Sequence, residues 1–125
     1  MNTRQANQVV VALTRLTGEP VYLERNFIGE KTPEVLVGTI ARFERTGPRQ
    51  MILKITISDV QFRVSSRRSE SEPELEIEID LNEANAPTWD GNSLLFLTKA
   101  ASYRHGDFER YVVKAGAAAE EYQPA

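Results

Sequence analysis

The strongest constraint on the fold comes from residues 74–81, where acidic and aliphatic side chains alternate without exception over eight positions. The segment reads Glu-Leu-Glu-Ile-Glu-Ile-Asp-Leu. Successive side chains of a β-strand point to opposite faces, so a strand here buries its aliphatic side and exposes its carboxylates. Such a strand requires partner strands and a core on one side, and it therefore predicts a sheet with one solvent-exposed face.

The segment from Met51 to Val64 also alternates, but the phase of its alternation changes in the middle. Leu53, Ile55 and Ile57 are odd-numbered, whereas Val60, Phe62 and Val64 are even-numbered. A regular strand would send half of these side chains to the wrong face, so the pattern predicts a β-bulge or bend near residues 58–59.

These two segments are expected to pair as an antiparallel hairpin across residues 65–73. A register that sets Phe62 opposite Ile77 matches apolar side chains on one face of the hairpin. The same register sets Arg63 opposite Glu76 on the other face, where the two side chains have opposite charge. Both matches favour this register.

The first seventeen residues predict an amphipathic helix. Val9, Leu13 and Leu16 recur at helical spacing, and Gly18 follows them as a C-terminal stop signal. The three consecutive valines at 9–11 favour β structure, so a first strand is the alternative.

The remaining apolar runs, bounded by turn residues, predict further strands, whereas Asn82–Asn92 contains too many turn residues and is predicted as an ordered loop. Together the patterns predict an all-β fold, a β-sandwich or small barrel of about six or seven mainly antiparallel strands, with a short N-terminal helix. We assign residues 1–114 to this domain and residues 115–125 to a C-terminal tail that forms a helical turn or stays disordered. The other predicted strands are Val21–Arg25, Val35–Phe43, Leu94–Tyr103 and Phe108–Lys114.

Composition excludes several kinds of chemistry. The 125 residues include no cysteine and one histidine, His105, which lies in a predicted tight turn, so disulfides, thiolate nucleophiles and histidine-rich metal centres are excluded. No phosphate-binding glycine motif occurs, and the longest apolar run has five residues, far below the roughly 20 that span a bilayer. We therefore predict no catalytic residue, no metal, no cofactor and no membrane contact. The lack of cysteine favours the reducing cytoplasm.

Charge is distributed unevenly along the chain. Residues 1–68 carry 11 basic and 6 acidic side chains, whereas residues 69–125 carry 4 basic and 12 acidic ones. The basic excess is concentrated in the segment 42–68, and arginine there suits bidentate recognition of carboxylate or phosphate. The candidate binding residues of this segment are Arg42, Arg45, Arg49, Arg63, Arg67 and Arg68.

The single tryptophan, Trp89, is a further candidate binding residue. It lies beside Pro87 and Gly91 in the predicted loop, either as a lid packed over one end of the fold or as an exposed anchor for a partner.

Three functional hypotheses follow. The first is a non-enzymatic binding or assembly module that acts through protein–protein contacts or self-association, with an arginine-rich surface that attracts an acidic partner. The second is a nucleic-acid-binding small β-barrel that uses the segment 42–68, although the net charge of −3 is opposite to the basic balance typical of such domains. The third is an enzyme that uses its carboxylates and His105.

Overall fold

In the computed structural model, the described residues are 1–27, 33–62, 71–99 and 108–121. They form seven β-strands between an N-terminal helix and a short C-terminal helix. The strands are β1 (Pro20–Phe27), β2 (Glu34–Thr46), β3 (Ile52–Phe62), β4 (Ser71–Asp80), β5 (Thr88–Trp89), β6 (Ser93–Thr98) and β7 (Phe108–Gly116). The helices are α1 (Thr3–Leu16) and α2 (Ala117–Glu120), and 3-10 turns lie at Pro48–Gln50 and Leu81–Glu83.

All strand pairs are antiparallel, and they form one sheet in the order β4-β3-β2-β1-β7-β6-β5. This confirms the prediction of a mainly antiparallel β fold with an N-terminal helix. The edge strands β4 and β5 do not pair with each other, so the sheet formed by the described residues is open. The sheet nevertheless curls, and this brings strands from its two ends together. Thr98 Oγ1 at the end of β6 donates a hydrogen bond of 3.1 Å to the carbonyl of Asp80 at the end of β4.

Helix α1 begins at a capping box. Asn2 Oδ1 accepts a hydrogen bond of 2.9 Å from the Gln5 backbone, and the Asn2 backbone donates one of 3.0 Å to Gln5 Oε1. The helix ends just before Gly18, whose φ is +92°. The predicted helix is thus confirmed in spite of the three valines, because burying the face that contains Val9 and Leu13 outweighs the weak strand preference of valine.

The sheet packs on α1 with one face, which we call the core face, and the opposite face is the outer face. Buried side chains of β1, β2, β3, β4, β6 and β7 surround the helix in one apolar cluster. On the outer face, Tyr22, Val35 and Ala119 form a smaller cluster that includes α2. Because Val35 and the adjacent Leu36 are both buried, the start of β2 is covered on both faces.

The predicted bulge is present in β3. Two of its residues between Ser58 and Gln61 lie opposite the single Gly38 of β2, and Asp59 adopts a positive φ of +52°. As a result Ile57 and Val60 are both buried in the core.

The predicted register of the β3–β4 hairpin is wrong. Ile57 lies opposite Leu75 and Ile55 opposite Ile77, so β4 pairs mainly with the regular part of β3 that precedes the bulge. That part offers consecutive apolar side chains on the core face in the same phase as those of β4. The predicted partner of Glu76, Arg63, lies outside the described residues, and Glu76 lies opposite Thr56.

The second half of the chain departs from its predicted boundaries. The predicted loop Asn82–Asn92 contains the two-residue strand β5, which pairs with β6. The predicted closing hairpin is present as β6 and β7, and its turn at residues 104–107 lies outside the described residues. The tail predicted from residue 115 starts inside β7, and Ala115 is buried because the strand continues to α2. None of the described helices is long and apolar enough to cross a membrane.

Candidate functional site

The structure separates the described members of the predicted arginine surface. Arg42 lies on the outer face, where its Nη2 donates a hydrogen bond of 2.6 Å to Glu74 Oε1, and both side chains are at least half exposed. Arg49 is exposed in the turn that follows β2. Outside the described residues lie Arg63, Arg67 and Arg68.

Arg45 joins the end of β2 to helix α1. It lies opposite Leu53, a residue of the core face, rather than among the charges of the outer face. Its Nε donates to the Gln50 carbonyl at 2.7 Å, and its Nη1 donates to Asn7 Oδ1 of α1 at 2.8 Å. Arg45 therefore holds the exposed side of α1 against the sheet.

We expect Arg45→Met to lower the free energy of unfolding by about 1 kcal/mol, because both hydrogen bonds are lost but lie at the surface. Urea unfolding of the variant measures this loss. Arg49→Met is the matched control and should change the stability by less than about 0.5 kcal/mol. Equal effects of the two substitutions would contradict the role of Arg45 in attaching α1.

The exposed side of α1 forms one wall of a groove, and Trp89 of β5 forms the other. The groove has a volume of about 310 Å³, and its walls are mainly apolar. Val11 lines it and is 51% exposed, more than the other exposed large apolar side chains of the described residues, Leu95 and Leu97. We call this feature the α1–Trp89 groove, and it is lined by Arg4, Asn7, Gln8, Val11 and Trp89.

Trp89 is positioned by the turn that joins β5 to β6. Asp90 Oδ1 accepts hydrogen bonds of 2.9 and 2.8 Å from the backbones of Asn92 and Ser93, and Gly91 takes a φ of +95°. The two backbone donors hold the pKa of Asp90 below its usual range. Trp89 is partly buried against the core, and the rest of its surface lines the groove. It thus combines the packing of a lid with the exposure of an anchor.

The α1 wall of the groove is basic. Residues 1–18 contain two arginines, Arg4 and Arg15, and no acidic residue. Arg4 lies in the first turn of α1, where the helix dipole disfavours a cation, and no carboxylate of the described residues forms an ion pair with it. Arg45 adds a further positive charge next to the groove through Asn7.

A buried polar cluster at the end of β1 was missed by the sequence analysis. Arg25 is only 8% exposed, and its Nε donates a hydrogen bond of 2.9 Å to Glu34 Oε1. Its guanidinium lies 5.3 Å from the centre of the Phe62 ring. Burial raises the pKa of the neighbouring Tyr111 phenol, although the charge of Arg25 acts against this. The signal was in the sequence, since Arg25 follows Leu23 at the spacing of the core face.

The acidic strand β4 meets basic residues within the sheet. Besides the pair of Arg42 with Glu74, Lys54 Nζ lies 3.6 Å from Glu78 Oε1. Across the ranges that the structure describes, no group of three or more His, Asp or Glu side chains is placed to hold a metal ion. His105 lies outside these ranges.

Comparisons of this chain with protein-family models, with curated proteins and with solved structures find no match. The α1–Trp89 groove combines an exposed apolar surface with an arginine, Arg4, that forms no ion pair with a carboxylate of the described residues.

Proposed function

We propose that this chain is a protein-binding module of the cytoplasm, and that its α1–Trp89 groove binds a partner segment in which an apolar side chain is flanked by carboxylates. The observation that carries this proposal is the combination of Val11 and Trp89 with Arg4, which has no ion-pair partner among the residues that the structure describes. A partly exposed tryptophan that lines an apolar groove is typical of residues that dominate binding energy at protein interfaces.

The groove offers each part of such a segment a chemical partner. Val11 and Trp89 contact the apolar side chain, and the planar guanidinium of Arg4 accommodates a carboxylate by bidentate hydrogen bonds. Because Asn7 Oδ1 already accepts a hydrogen bond from Arg45, the amide nitrogen of Asn7 remains to donate to a partner carbonyl. The positive field of the groove favours acidic segments and increases their association rate.

The protein-binding hypothesis is also favoured over nucleic-acid binding. Two of the predicted arginines, Arg42 and Arg45, have partners of their own in Glu74 and in Asn7. A guanidinium held in this way contributes less to a surface that tracks phosphates, because binding would first have to break its existing contact.

We expect random peptides displayed on phage and selected on the full chain to converge on sequences with an aliphatic or aromatic residue between acidic ones. Because Trp89 is the single tryptophan, its fluorescence reports directly on occupation of the groove. Arg4→Glu should weaken a selected peptide by at least about tenfold, the effect expected of an interface anchor.

Arg49→Glu makes the same charge change outside the groove and is the matched control. It should leave the affinity for the selected peptide within about twofold of the original value. Selection of basic peptides, or equal losses of affinity in the two variants, would contradict the proposal.

Labelled DNA and RNA titrated across a salt series test the nucleic-acid hypothesis. Tight binding that falls steeply with salt would put this hypothesis first.

A further inference from the structure

We propose that the edge strand β4 is a second interaction surface, which accepts an extended partner segment with alternating basic and apolar side chains as an additional antiparallel strand. This surface is separate from the α1–Trp89 groove. It uses backbone hydrogen bonds for affinity and the side chains of β4 for specificity, as in other cases of strand addition.

The two edges of the sheet differ in how far other parts of the chain form hydrogen bonds to them. At the β6 edge, the Asn85 backbone donates to the Leu97 carbonyl at 3.0 Å, and Asn85 Oδ1 accepts from the Leu97 backbone at 2.8 Å. The strand β5 covers the neighbouring part of β6. At the other edge, β3 is the only strand among the described residues that pairs with β4. Along Glu74–Glu78, no described residue outside β3 bonds to the backbone of β4, so this stretch offers outward-facing backbone groups to a partner. At the end of the strand, the carbonyl of Asp80 already accepts a hydrogen bond from Thr98.

The core face of β4 is incompletely covered at this edge. Ile77 and Ile79 are at most 2% exposed, whereas Leu75 of the same strand is only partly buried. Phe62, near the end of β3, is also partly buried. Apolar side chains of an added strand would cover Leu75 and extend the core, and this requires an apolar residue at alternate positions of the partner.

The outer face of β4 selects for basic residues. Glu74, Glu76 and Glu78 follow one another on this face, and Glu76 lies opposite Thr56 with no cation of the described residues paired to it. Lysine or arginine on an added strand would lie beside these carboxylates and form cross-strand pairs. The partner sequence therefore alternates basic and apolar residues.

A second copy of the chain is a poor occupant of this edge. Antiparallel pairing of two β4 strands that keeps the apolar residues on one face sets glutamate opposite glutamate on the other, which is repulsive. Pro73 lacks a backbone donor near the start of β4, so strand addition is expected along Glu74–Glu78. The edge thus discourages self-pairing while remaining able to pair with a basic segment.

The test uses the full chain and a labelled, end-capped peptide of alternating lysine and valine. We expect fluorescence anisotropy to show that the peptide binds the full chain. We also expect hydrogen exchange to show that the bound peptide protects the outward-facing backbone amides of β4. Glu76→Lys should weaken this binding by about tenfold, because it replaces attraction with repulsion. Glu120→Lys on the exposed side of α2 is the matched control and should bind like the original protein.

A lysine–valine peptide with proline at its central valine keeps the charge but breaks the strand, and it should bind much more weakly. Equal binding of the two peptides would overturn the proposal, since attraction would then be purely electrostatic. The proposal would also be overturned if the outward-facing amides of β4, which do not bond to β3, were already protected in the free protein, whether by its own chain or in a dimer detected by light scattering. Trp89→Ala should leave binding of the lysine–valine peptide unchanged, so the test of β4 is independent of the α1–Trp89 groove.

Discussion

Arg25→Met should lower the free energy of unfolding by roughly 3–5 kcal/mol, the loss expected when a buried ion pair is broken from one side. The side chain of Glu34 is only 12% exposed, and the substitution removes the Arg25 guanidinium that compensates the charge of its carboxylate. It also removes the contact with the Phe62 ring and the charge beside Tyr111. Chemical denaturation monitored by far-ultraviolet circular dichroism measures the loss.

A second variant separates the charge effect from packing. Arg25→Met combined with Glu34→Leu should recover most of the stability, because replacing both members of a buried ion pair by apolar groups is often neutral or stabilising. Arg42→Met breaks an exposed ion pair and should change the stability by at most about 1 kcal/mol. A double variant as unstable as Arg25→Met alone would show that the uncompensated charge of Glu34 is not the cause.

Gly116→Ala is expected to destabilise the fold by about 3 kcal/mol or more, through backbone strain and a steric clash. Gly116 connects β7 to α2 with a φ of +73° and a ψ of −140°, a region that side chains strongly disfavour. A Cβ at this position would lie 2.2 Å from the carbonyl oxygen of Asn92 and 2.8 Å from Leu16 Cδ2. The substitution should therefore push the junction of β7 and α2 away from Asn92 and from Leu16 at the end of α1, and thermal unfolding provides the measurement.

Gly91→Ala is the control that isolates the backbone contribution. Gly91 also has a positive φ, of +95°, but a Cβ there would meet no atom within 4 Å. Its substitution should reduce stability by only about 1–2 kcal/mol. If Gly91→Ala and Gly116→Ala had equal effects, the close approach of Asn92 to Gly116 would not be important for stability.

Several elements were predictable because their signals are local. The alternation in residues 74–81 identified the core face of β4. The change from odd-numbered to even-numbered apolar residues between Ile57 and Val60 located the bulge in β3. The spacing of apolar residues before Gly18 predicted α1. In each case the side-chain pattern reports which face of one element is apolar, and that depends only on the geometry of the element itself.

The register of β3 with β4 was not predictable in the same way. The sequence offers two stretches of β3 whose apolar residues match those of β4, one before the bulge and one after it. The structure uses the earlier stretch, in which Ile55 lies opposite Ile77. The choice depends on the length of the connection and on packing against α1, neither of which alternation reveals.

The candidate site shows the same limit for charged residues. Arg42 and Arg45 were grouped because they are neighbours in the chain, but strand alternation places them on opposite faces of β2 and gives them different partners. Arg42 meets Glu74, and Arg45 meets Asn7, which is 38 positions away in the sequence. Trp89 was found from the sequence because it is the single tryptophan, but Arg4 beside it was not.

The sequence by itself determined the type of each main element and the face that it buries, since both follow from local periodicity and capping. Only the tertiary structure decided which charges meet, which arginine lies beside Trp89, and which strands form the edges of the sheet that the described residues build. These features arise from contacts between residues far apart in the chain. Hydrophobic burial is set by the pattern within an element, whereas electrostatic and edge properties depend on how elements pair.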